Sequence, residues 1–382
     1  MSFKYIKVKT KGQNEGEELL VPKLRFKEFN KEYKKYKIRD TLKVKSGKDQ
    51  KLIECINGKY PILGTGGQIG TTNSFLYDKP SVLIGRKGTI NKPQYMTTPF
   101  WTVDTLFYTD IKEEFNTKYI FYTFQNINWK KYDESTGVPS LSCKTIEEIL
   151  YYIPNKDEQD KISAFITLLD KKIELQNQKI EALKIYKRGL IQKIYQTNYN
   201  NKIKMKKILI QKSIRNTNDK KYNVYSVNNK DGFILQTEQF KERMVASEDT
   251  RNYKVVEKDD FAYNPARINV GSIARMKQDI KGIISPMYIC FKCNEKIIPE
   301  YLEYFFESSK FTYEMNKRLE GSVRMCLSYE SMLNIPIELP NKNEQEKTSE
   351  ILKSLSQKIK KEEKKYMELN MLKKGLLQKM FI

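Results

Sequence analysis

Residues 154–195 read PNKDEQDKISAFITLLDKKIELQNQKIEALKIYKRGLIQKIY, and residues 340–381 read PNKNEQEKTSEILKSLSQKIKKEEKKYMELNMLKKGLLQKMF. The two stretches align without a gap at an offset of 186, with 17 of 42 positions identical, so the chain carries an internal duplication. In the first copy Ile162, Ile166, Leu169, Ile173, Ile180, Leu183, Leu190 and Ile194 fall three or four residues apart, with two gaps of seven. In the second, Leu352, Leu355, Ile359, Tyr366, Leu369, Leu376 and Met380 do the same. Polar residues interrupt both stripes at matching places, Gln176 and Lys187 in one, Glu362 and Lys373 in the other. A sustained apolar seam of this kind needs a partner helix. Matching interruptions in the two seams favour each helix as the partner of the other, and an antiparallel pair closes most simply. At 1.5 Å per residue each helix is about 60 Å long. Asn155 with Glu158, and Asn341 with Glu344, read as an N-cap followed by a carboxylate reaching back.

Outward from these helices, the rest of the chain is long enough for two or three cores in its 382 residues. No apolar run is long enough to span a bilayer, and the first residues lack a secretory signal, so no membrane association is expected. Five cysteines, Cys55, Cys143, Cys290, Cys293 and Cys326, are an odd and scattered set that suits a reducing, cytoplasmic setting. The net charge is +23. Its excess is shared between residues 1–32, 33–153, 154–201, 202–339 and 340–382, each of which is positive. A diffuse field of that size points to a polyanionic partner, with nucleic acid the default.

Residues 1–32 read as an N-terminal extension, with residues 12–18 of flexible composition. Residues 33–153 alternate short apolar runs with glycine turns. Tyr60-Pro-Ile-Leu63 leads into the turn Gly64-Thr-Gly-Gly67. Ser81-Val-Leu-Ile84 leads into Gly85-Arg-Lys-Gly88 and out through Thr89-Ile90, as a hairpin with a basic tip. Residues 100–108 alternate, with Trp101, Val103 and Phe107 on one face, and residues 119–129 read as an aromatic-rich helix. The same events return in residues 202–339. Asn269-Val-Gly-Ser-Ile273 answers Arg86-Lys-Gly-Thr-Ile90 at an offset of 183, and Tyr301-Leu-Glu-Tyr-Phe-Phe306 answers Tyr119-Ile-Phe-Tyr-Thr-Phe124 at 182. Gly321 answers Gly137, and Leu327 answers Leu141. The fold class is therefore α+β, with two pseudo-symmetric mixed domains (33–153 and 202–339) separated by an antiparallel coiled-coil of the long helices 154–201 and 340–382.

Little catalytic chemistry is on offer. The chain has no histidine, which removes serine–histidine and cysteine–histidine systems and histidine-based metal sites. It has no phosphate-cradling P-loop. Gly64-Thr-Gly-Gly67 is a turn rather than a cofactor loop, and Asn264-Pro265 lacks the second proline and aromatic of an adenine-methylating tetrapeptide. Cys290 and Cys293 are three apart on an apparent strand, so they should face opposite sides, and no second pair accompanies them. Nothing marks Asp104, Asp259 or Asp260 as metal ligands. Neither catalytic residues, nor a metal site, nor a cofactor is expected.

Several stretches together resemble the specificity subunit of type I restriction–modification systems: Pro22-Lys-Leu-Arg-Phe26 with Glu28-Phe29; Gly137-Val-Pro-Ser-Leu-Ser142; Ile153-Pro-Asn with Glu158-Gln159; and the closing Lys-Gly-Leu-Leu-Gln-Lys-Met-Phe. The resemblance covers essentially the whole chain, including the order domain, helix, domain, helix. It implies that each domain reads one half of a bipartite double-stranded DNA site. The paired helices would set the spacer and help recruit two modification subunits that methylate adenine, with restriction subunits joining through the complex. The candidate base or phosphate contacts are Arg86, Lys87, Lys92 and Tyr95 in the first domain, and Arg267, Asn269, Ser272 and Arg275 in the second. The alternatives are a self-contained DNA methyltransferase or endonuclease, and a coiled-coil scaffold binding nucleic acid without sequence preference.

Overall fold

The computed structural model describes residues 3–5, 21–197, 201–218, 220–229, 231–239, 249–321 and 324–382. The stretch 12–18 lies outside them. Two compact units result, one of Met1–Asn177 with Lys364–Ile382, the other of Gln178–Glu363.

In the first unit the strand Lys34–Lys37 pairs antiparallel with Leu150–Ile153, so the chain enters and leaves the domain side by side. Between them lies a four-stranded antiparallel sheet in the order Leu42–Lys45, Leu106–Ile111, Ser81–Gly85, Gln94–Met96. A second sheet orders Gly67–Thr72, Tyr60–Gly64 and Trp101–Thr102. The alternating run 100–108 is thus two strands rather than one. The amide of Leu106 donates to the carbonyl of Val103 (3.0 Å), and this turn hands the chain from one sheet to the other. The aromatic-rich helix spans Thr117–Asn126, with the Asn116 side chain accepting from the Tyr119 amide, and Trp129 follows in a short 3-10 turn. Its buried face, Tyr119, Tyr122 and Phe124, joins Val82, Ile84 and Phe107 in one core.

The second unit repeats this plan. Lys202–Lys204 pairs with Pro336–Glu338. The four-stranded sheet runs Leu209–Gln211, Ile289–Cys293, Phe261–Tyr263, Ile273–Arg275, the same order of equivalent strands as before. A further sheet orders Gly232–Leu235, Asn223–Asn228, Gly282–Ile284 and Lys254–Val256. On the strand Ile289–Cys293, Cys290 faces one apolar cluster and Cys293 another, so the two thiols point to opposite sides.

The long helices span Lys156–Gln196 and Lys342–Met380 and run antiparallel. In the first unit Lys373 of the second helix reaches Asp170 of the first (2.7 Å). In the second unit Lys179 reaches Glu362 (2.6 Å) and Lys184 reaches Glu363 (2.9 Å). Ile162, Ile166, Leu169, Leu369 and Leu376 are buried in the first unit's core, with Ile173 packed against it. Ile180, Leu352 and Ile359 are buried in the second unit, with Leu183, Leu190 and Leu355 half-buried.

The polar interruptions of the seam have a use. Lys187 lies 5.2 Å over the Tyr304 ring and pairs with Glu307. Its counterpart Lys373 lies 5.6 Å over the Tyr122 ring. Each lysine therefore docks its helix on the aromatic helix of the domain.

The helix starts are partly as expected. Asn155 and Asn341 each accept from the amide three residues on, at 3.2 and 3.0 Å. Glu158 does not reach back, because Arg25 holds it with two hydrogen bonds of 2.7 Å. The neighbouring glutamine has the shared role. Gln159 accepts from the amide of Asn116 and donates to the carbonyl of Pro154, both at 2.9 Å. Gln345 accepts from the amide of Ile298 (2.9 Å) and donates to the carbonyl of Pro340 (3.0 Å). A buried amide thus satisfies the first free N–H at the start of the aromatic helix in each unit.

Candidate nucleic-acid interface

The strand Ser81–Gly85 ends in a loop whose return strand begins at Gln94, not at Thr89-Ile90 as the hairpin reading expected. The reason is Ile90. Its side chain is buried in the core, which folds the loop back on itself before the return strand can form. Three hydrogen bonds pin the loop: Arg86 N–H to the carbonyl of Thr105 (2.8 Å), Gly88 N–H to that of Pro139 (2.8 Å), and Leu141 N–H to that of Arg86 (2.9 Å). The Gly137–Ser142 stretch therefore acts as a brace.

The second unit builds the loop from the strand Phe261–Tyr263, a 3-10 turn Pro265–Val270 and the return strand Ile273–Arg275. Leu327 N–H donates to the carbonyl of Pro265 (3.1 Å), as Leu141 does to Arg86. That bond makes Pro265 the backbone equivalent of Arg86, in place of the match to Asn269 that the offset of 183 proposed. The glycines do correspond. Gly88 and Gly271 both have left-handed backbones, φ +85 and +87, conformations that strongly favour glycine. An added β-carbon at Gly88 would lie 3.9 Å from Thr65, and one at Gly271 would lie 3.4 Å from Asn229. Thr65 and Asn229 occupy the tips of the hairpins Tyr60–Thr72 and Asn223–Leu235. Each unit therefore sets a hairpin tip against a loop at a left-handed glycine. In the first, Gln94 ties the two together by donating to the carbonyl of Gly64 (2.8 Å).

The selected side chains divide. Lys87, Lys92, Arg267 and Asn269 are exposed. Lys92 lines a groove of about 370 Å³ with Asn91, Gln125 and Lys374. Arg86 is half-buried, with its guanidinium 5.8 Å over the Phe107 ring and one nitrogen on the carbonyl of Asp104 (3.3 Å). Tyr95 is half-buried against Phe121, with the Lys118 ammonium 5.0 Å above its ring, and burial pushes its phenol up.

Ser272 and Arg275 are placed otherwise. The Ser272 hydroxyl is buried and donates to the carbonyl of Val227 (3.2 Å). Arg275 is buried, bonded to Asp259, Glu300 (2.8 Å) and Glu303 (3.0 Å). Its strand alternation turns it inward, and three carboxylates take up its donors. The hairpin tips, including the exposed Gln68, are absent from the residues chosen by spacing. The turn glycines Gly64 to Gly67 signalled the first tip alone.

The sequence profile of a family described as "Type I restriction modification DNA specificity domain" matches residues 30–184 and again 201–371. The chain belongs to the type I restriction–modification specificity family. This specificity chain is similar to the type I restriction enzyme MjaVIII specificity subunit of Methanocaldococcus jannaschii, 25% identical over 288 residues. That match spans 65% of this chain and 66% of the relative, so a third of the relative lies outside it. Its fold is that of the type I restriction–modification S subunit from M. genitalium, with a TM-score of 0.62 at 17% identity over 95% of this chain and 99% of the other. A chain from a study of complex assembly and conformational transition of the type I R-M system has the same fold, with a TM-score of 0.55 at 10% identity over 91% and 97%. The two matched ranges correspond to the two repeats of this chain. Among the described residues no helix is long and apolar enough to cross a membrane.

Proposed function

We propose that residues 33–153 and 202–339 each read one half of a bipartite, asymmetric double-stranded DNA site for a type I restriction–modification complex. The observation that carries this is the repeated hairpin-and-loop device, which ends in different side chains: Thr65, Gln68, Arg86, Lys87 and Lys92 in one unit, Asn229, Arg267 and Asn269 in the other. A two-stranded β-ribbon fits a major groove, where arginine, glutamine and asparagine distinguish bases and lysines hold phosphates. Different tips on one scaffold imply different half-sites. Ser272 and Arg275 support the device from beneath rather than touch DNA.

The long helices hold the two readers at a set distance and recruit two modification subunits, with restriction subunits joining through the complex. Exposed apolar doublets support the count of two. Ile185-Tyr186 and Met371-Leu372 are related by the offset of 186, so one partner surface fits twice. Chemistry is left to those partners.

The test is methyl transfer from labelled S-adenosylmethionine to DNA. No transfer is expected with this chain alone, and transfer is expected once modification subunits are added. Transfer by the chain alone would overturn the reading.

A further inference from the structure

The duplication is covered on one side and bare on the other. In the first unit, Glu158, Lys161 and Phe165 form one face of the first long helix, and the strand Leu24–Phe26 lies over it. Arg25 and Glu158 pair at 2.7 Å with exposures of 2% and 1%. Phe26 packs edge-on against Phe165 at 5.8 Å, and the Lys161 ammonium lies 5.1 Å over the Phe26 ring. At the offset of 186 the same face of the second helix is Glu344, Lys347 and Ile351. Glutamate and lysine are retained and phenylalanine becomes isoleucine, yet Glu344 and Lys347 are exposed and Ile351 is 56% exposed. Among the described residues no counterpart strand covers this face. In the second unit the first long helix runs to Gln196, and the next strand, Lys202–Lys204, pairs with Pro336–Glu338 instead. Ile351 continues into a groove of about 460 Å³ lined also by Tyr186, Leu190, Leu355 and Lys358.

We infer that the face Glu344–Lys347–Ile351 and its groove form a docking site for an extended segment of a protein partner, one that carries an arginine between large apolar residues. The occupant's chemistry is read from the covered copy. A guanidinium forks onto Glu344 as Arg25 does onto Glu158, and an aromatic side chain covers Ile351 under the Lys347 ammonium. This rests on the reading of the chain as a subunit that assembles with others, but it is independent of DNA recognition.

The test uses this chain's own segment as probe. A synthetic peptide of residues 21–33 is titrated into the full-length protein by calorimetry. One peptide is expected to bind per chain. Binding should weaken roughly tenfold or more when the peptide carries Arg25→Ala, or the protein carries Glu344→Ala or Ile351→Asp, since one partner of a charge pair or its apolar cover is then gone. DNA binding by both protein variants should be unchanged, which also shows that they fold. Absence of binding at millimolar peptide, or binding indifferent to Glu344→Ala and Ile351→Asp, would overturn the inference. The second result would mean the peptide had merely exchanged with the strand over Glu158.

Discussion

Arg86 and Arg267 reach the same kind of loop by different backbone routes, and each has guanidinium donors available for a base edge. Replacing either by Ala is expected to cost about 1–3 kcal/mol on the cognate duplex and much less on a scrambled one, as measured by fluorescence anisotropy. An equal loss on both duplexes would make the residue a phosphate contact. Two other arginines act inside the protein. Arg25 and Glu158 are both buried, so Arg25→Ala strands a carboxylate and should destabilise by about 3–5 kcal/mol. The partners of Arg275 are partly exposed (Asp259 42%, Glu300 30%), so water can take over some of its role. Arg275→Ala should then cost about 2 kcal/mol. Urea unfolding of both variants checks the order, and Arg275→Ala proving the more costly would contradict it. Charge type alone could not separate these four arginines. Arg275 looked available in the sequence because its carboxylate partners Glu300 and Glu303 come from a helix about 25 residues further on.

At the scale of elements, the long helices were legible because an apolar seam of seven-residue period requires a helix with a partner. The polar breaks at Lys187 and Lys373 read as a sign that the helices pair, whereas both lysines lie over aromatic rings of the domain helices. The aromatic-rich helix was legible as 119–129; it spans Thr117–Asn126, and Trp129 falls in the 3-10 turn after it. The loops were not. A buried Ile90 and an extended 3-10 turn at 265–270 change the loop lengths between equivalent strands, so the sequence offset slides while the backbone bonds from Leu141 and Leu327 stay equivalent. Residues 100–108 alternated like a single strand, but a turn at Val103 splits them between two sheets. The cap asparagines were readable from spacing. That Glu158 would turn to Arg25 was not, because the partner lies 133 residues away. The two cysteines show the reach of strand alternation. Cys290 and Cys293 lie on opposite faces, and burial raises both thiols to about 12.

At the scale of the whole molecule, a duplicated unit with one conserved part and one divergent part suits two unlike readers on a common frame. The helices keep their offset because both must fit the same antiparallel seam and the same glutamine lock. The tips differ in sequence, with Lys87 and Lys92 exposed in one unit and Arg267 and Asn269 in the other. The central claim is that two separate readers are held at a distance set by the helices. Its most direct test is selection of bound sites from randomised duplexes, using the full-length chain with its modification subunits. The native chain and a variant with seven residues inserted at matching points of both helices would be compared. The native chain is expected to yield two unlike conserved blocks with a fixed unconserved gap. The insertion lengthens each helix by about 10 Å, and should widen that gap by about three base pairs at 3.4 Å each without changing the blocks. A single contiguous block, or a gap unmoved by the insertion, would contradict the account.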